Sequence, residues 1–131
     1  MQRKSGGFQS TQAATSDAFA SGVVLEASAL RHSVEGRDHV KTVMAAASSI
    51  YTSLAFTRDA SHGDRHYLKW EVTAFEDTVL RGVTILTKND DGKIVHAAIH
   101  HRPLDGVRKF SAELGRRLQG KVDASHFYGA A

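Results

Sequence analysis

The chain has no cysteine, which excludes disulfides and thiolate chemistry but does not by itself fix a compartment. It also lacks long apolar runs. No stretch approaches the roughly 20 apolar residues that a membrane helix needs, and no apolar segment follows the basic Arg3 and Lys4, so no signal peptide is expected. The expectation is a soluble cytoplasmic protein with no membrane partner. Charge of one sign is scarce: 17 Lys and Arg stand against 14 Asp and Glu, a net +3. That balance permits contact with an anion or nucleic acid without arguing for either. The P-loop, GxGxxG, GxSxG and CxxC signatures are all missing, and no cofactor is expected.

What is present suits one soluble domain. Of 131 residues 41% are hydrophobic, enough for a core, and 24% are charged. Residues 1–7, MQRKSGG, read as a polar tail, residues 8–120 as the domain, and 121–131 as a C-terminal tail whose His126, Phe127 and Tyr128 dock on the body or on a partner. Within the domain, 8–20 can form a short helix and GVVLEASAL a strand. Val40, Val43, Met44, Ala47, Ile50 and Leu54 recur at spacings of three and four, which predicts a long helix over 38–54. The period then changes to two. FTRDAS, RHYLKWEVTAF, VLRGVTILTK and KIVHAAIHHR read as a meander of antiparallel strands, with turns at SHGD, EDT and NDDG. Pro103 suits the first turn of a last helix, with Leu104, Val107, Phe110, Leu114 and Leu118 on its buried stripe. A curved antiparallel sheet with helices on one side is an α+β architecture.

With VVLEAS, EGRDHV, LKWEVTA and GVTILTKNDDGKIVHAAIHHRPL in that order over roughly residues 18–118, the chain resembles the NTF2-like superfamily, in its SnoaL-like and ketosteroid-isomerase-like branch. The resemblance implies a cone: a curved antiparallel sheet wrapped by helices around a pocket. It implies a small, largely apolar ligand or substrate and a homodimer. Isomerases, dehydratases and cyclases share this fold with non-catalytic binding or assembly modules, so both readings stay open. One departure is plain. In ketosteroid isomerase the first helix carries an oxyanion-holding tyrosine, and here no tyrosine precedes Tyr51.

By that resemblance Glu26, at the end of VVLE, matches the general-base carboxylate, and Ala97, Ile99 and His101 face the concave side. Apolar walls would raise a carboxylate's pKa and lower an imidazole's, moving both toward neutrality. Glu26 as proton acceptor and His101 as donor are therefore the candidate catalytic pair. The plainer alternatives are a surface carboxylate and a structural histidine. Leu68, Trp70, Val72, Thr84, Leu86, Ala97, Ile99, Met44 and Tyr51 are expected to line the pocket, Thr84 at the position of the isomerase's protonated oxyanion-hole acid. Such residues also commonly serve as plain core.

Eight histidines raise the question of a metal. His96 and His100 lie four residues apart on a strand, about 13 Å at ~3.3 Å per residue, whereas two nitrogens on one zinc are only about 3–4 Å apart. That pair cannot chelate one ion. His62 and His66 flank a turn without an obvious third ligand, so no metal is expected. Arg108, Lys109, Arg116, Arg117 and Lys121, interleaved with Asp105 and Glu113, read as a solvated helix face rather than a nucleic-acid surface. Alternation sends Tyr67, His96, Ala98 and His100 outward, a mixed surface expected to pair isologously with a second copy.

Overall fold

A computed structural model describes residues 18–129. Six strands form one sheet: β1 (Phe19–Ala27), β2 (Val34–Glu35), β3 (Tyr51–His62), β4 (Arg65–Ala74), β5 (Thr78–Lys88) and β6 (Ile94–Arg102). Helix α1 (Arg37–Ile50) precedes β3, and α2 (Leu104–Arg117) follows β6. The sheet order is β2-β1-β6-β5-β4-β3. Strands β3 to β6 are the antiparallel meander that the alternating pattern predicts. Strand β1 joins it by pairing parallel to β6. Register shifts occur in β1, twice in β3, and between β5 and β6. Such bulges bend strands and increase twist, which fits the curvature of the sheet.

The two described α-helices lay their apolar stripes on one face of this sheet. Val40, Val43 and Ile50 of α1, and Val107, Phe110 and Leu114 of α2, join Leu25, Trp70, Val72, Leu80, Leu86 and Ala97 in one core. Arg117 Nη1 donates to Ser49 Oγ at 2.9 Å, linking the helices at the surface. No described helix is long and apolar enough to cross a membrane.

Two expectations need correction. The long helix stops at Ile50, and Tyr51 is already extended, with φ −73° and ψ 138°. Leu54, placed on the helical stripe, sits in β3 opposite Val72. An apolar residue four positions after Ile50 fits a helix, and one two before Phe56 fits a strand, so spacing alone does not separate the two. The proposed helix at 8–20 lies mostly outside the described residues. Its last part is strand, with Phe19 buried in β1. Of the two placements expected for the final segment, the structure shows the first: it docks on the body. Phe127 is 3% exposed, bridges to Leu30 and lies against Gly115, where an added Cβ would meet its ring at 3.2 Å. Buried Ser111 fastens it further, donating to the Ala29 carbonyl and accepting from the Tyr128 amide at 2.8 Å.

Candidate functional site

Because strand neighbours alternate faces, the register sorts the side chains into two sets. Trp70, Gly82 and His101 form one lateral row on the helix-covered, concave face. Leu68, Thr84, Ile99 and Ala27 form the next row, and Leu86, Ala97 and Leu25 the one beyond. All seven strand residues expected to line a pocket, Leu68, Trp70, Val72, Thr84, Leu86, Ala97 and Ile99, therefore share the concave face with His101. Val72, Leu86 and Ala97 are buried in the core, while Leu68, Thr84 and Ile99 keep partial exposure. Met44 of α1 packs against the same core.

Four rings form a chain along this face. Tyr51 stacks on Phe110 with centroids 5.5 Å apart and planes 13° apart. Phe110 meets His101 edge-on at 5.8 Å, and His101 meets Trp70 edge-on at 5.7 Å. The Trp70 indole N–H donates to Thr84 Oγ1 at 2.9 Å, so the threonine orients the wall and satisfies its one polar group. The indole lies over Gly82: an added Cβ there would stand 2.5 Å from Trp70 Cζ2 and 2.8 Å from the His100 carbonyl oxygen. Overpacking of this kind typically costs about 1–3 kcal/mol. Gly82→Ala should lose that much in urea denaturation and change the emission of Trp70, the only tryptophan. A loss below about 0.5 kcal/mol, within the range of a neutral surface change, would show that the ring is not held there.

The electrostatics follow from enclosure. Burial, with the nearby His100 adding to it, pushes the His101 imidazole down to about 4. The ring is thus neutral at pH 7. Its Nδ1 is buried and finds no hydrogen-bond partner among the described residues, whereas its backbone N–H donates to Ser28 Oγ at 3.0 Å. Burial raises the Tyr51 phenol above its ordinary value, so it stays protonated.

Glu26 does not join this group. It pairs in register with Ala98, on the face opposite Ala97, Ile99 and His101. Its Oε2 lies 2.9 Å from His96 Nε2, and its side chain is 61% exposed. The expected convergence of Glu26 and His101 in one cavity is corrected by this register: the sheet separates them. Phe110 was read only as part of a helix stripe, yet it joins Tyr51 to His101. The i, i+3 and i+4 stripe of α2 marks it as buried without showing what it meets.

No family model matches this chain, and no curated protein matches it in sequence. Solved structures do match in shape. An uncharacterised protein with a cystatin-like fold from Silicibacter pomeroyi DSS-3 is 19% identical, with 84% of this chain and 77% of that chain covered at a TM-score of 0.77. A steroid delta-isomerase from Pseudomonas aeruginosa is 20% identical, with 88% of each chain covered at 0.76. A protein assigned to the SnoaL-like polyketide cyclases, from Jannaschia sp. CCS1, is 16% identical, with 77% of this chain and 78% of that chain covered at 0.63. The chain thus has the α+β cone fold of the NTF2-like proteins, in the form shared by steroid-isomerase-like and SnoaL-like structures. At these identities the likeness concerns the fold.

Proposed function

We propose that the concave face binds a small, largely apolar molecule carrying one hydrogen-bonding oxygen, and that the chain serves as a binding module for it. The observation that carries this reading is His101: a neutral imidazole enclosed by Trp70 and Phe110, with no side-chain hydrogen bond to the described residues. An unpaired buried N–H is costlier to keep than a bare lone pair, which favours the tautomer with its proton on Nε2, free to donate to a ligand oxygen. Trp70, Phe110, Leu68 and Ile99 supply apolar contact around a single polar anchor, the usual composition of a small-molecule site. The acid–base alternative loses its proposed proton acceptor, because Glu26 lies across the sheet. The shape match to a steroid delta-isomerase makes a neutral ketosteroid a sensible first probe.

The test is quenching of Trp70 emission by a ketosteroid and by a planar aromatic ketone. Saturable quenching is expected with at least one of them. His101→Leu should weaken it about tenfold, the worth of one buried hydrogen bond. Equal affinity in wild type and variant, or no saturable response to either class, would remove His101 as the anchor.

A further inference from the structure

The outer face of the sheet carries an imbalance that the concave site does not use. Cations stand directly opposite one another on neighbouring antiparallel strands twice: Arg58 opposite Lys69, and Arg81 opposite Arg102. Directly opposed like charges destabilise a sheet. In the same area Glu71 provides a carboxylate, and its Oε2 lies 2.7 Å from Arg81 Nε. Arg102 and Lys69 are exposed and make no ion pair with a described residue. Between the two cationic rows lies a recess of about 220 Å³, lined by Lys69, Arg81, Val83, His100 and Arg102 with Gly82 and His101 between them.

We propose that this recess is a binding site for a phosphate dianion, either free phosphate or the terminal phosphate of a small phosphomonoester. Lys69, Arg81 and Arg102 bring three permanent positive charges to the lining; beside it Arg58 adds one and Glu71 removes one, a positive excess that favours a dianion over a monoanion. Two guanidiniums supply planar, forked donors suited to phosphate oxygens, and the ammonium adds a point charge. His100, opposite Val83, can donate from the next row. The Glu71 pair already offsets part of the Arg81–Arg102 opposition, and a bound dianion relieves what remains. The side chains that hold the anion project from the face opposite the His101 ring, and the site does not depend on what the concave face binds.

Calorimetric titration with inorganic phosphate, with phenyl phosphate and with dimethyl phosphate, each against sodium chloride at matched ionic strength, tests this. Saturable binding of inorganic phosphate or phenyl phosphate is expected, and the tighter of the two identifies the source. Arg102→Gln should weaken it about tenfold, the worth of a charge-assisted hydrogen bond. The same variant should be at least as heat-stable as wild type without phosphate, because one opposed pair is gone, yet lose the stabilisation that phosphate gives wild type. Heat fully reproduced by chloride, equal affinity in Arg102→Gln, or binding of the monoanionic diester as tight as the monoester would each overturn the proposal.

Discussion

Acidification from pH 6.5 to below pH 4 should remove about 3 kcal/mol of folding stability through His101 alone. The imidazole is held at about 4 in the folded protein, chiefly by burial, against 6.5 when free. Between those values the unfolded chain binds the proton and the folded one does not, so stability rises with pH across the window. The full contribution is present above pH 6.5, declines progressively below it, and is gone once the folded-state ring also titrates near pH 4. The gap between about 4 and 6.5, at about 1.36 kcal/mol for each factor of ten in proton affinity, gives the magnitude. Urea denaturation across this range, on wild type and on His101→Leu, isolates the effect. The leucine variant should lose most of the slope. At neutral pH it should be as stable as wild type or more so, because it removes an unpaired buried polar atom. A slope unchanged in His101→Leu would place the acid sensitivity elsewhere.

How far this site could be read from the sequence depends on whether alternation was unambiguous. In KIVHAAIHHR alternation separates His100 from His101 without saying which faces inward; the resemblance supplies that choice, and His101 lies on the concave face with Trp70 and Thr84. In VVLEAS both parities begin with valine, Val23 buried and Val24 part-exposed, so the string cannot say which way Glu26 points. Its face is settled by parallel pairing with β6 about 70 positions away, and such non-local register leaves no local trace. Strand β2, two residues long, is too short for any periodic signal. Tyr51 is the junction itself: the residue after Ile50 could extend the helix or start the strand, and the stacking partner that decides its position, Phe110, belongs to an element some 50 residues later. The outer cations were individually visible. Their mutual opposition was not, because it depends on strand register across two hairpins.

Phe110 is where stability and site chemistry meet, and Phe110→Ala should show both. The ring is 3% exposed and fills the space between Tyr51 and His101. Truncating a buried phenylalanine costs about 3–5 kcal/mol through lost transfer free energy and the cavity left behind. Here one wall of that cavity is a polar ring with an unpartnered Nδ1. Water enters cavities that offer polar partners, so the space beside His101 should hydrate. Hydration removes the main cause of the depressed imidazole pKa, and His101 should titrate closer to 6.5 than to 4. The large loss at neutral pH should therefore come with a shallower acid dependence than in wild type. Phe110→Leu, which keeps the site apolar and mostly filled, should lose less stability and leave the His101 titration near its wild-type position. Urea denaturation and an NMR titration of the His101 ring protons measure the two effects separately. If Phe110→Ala lost less than about 1 kcal/mol, or lost its stability while His101 kept its low pKa, the phenylalanine would not be what keeps water from the imidazole.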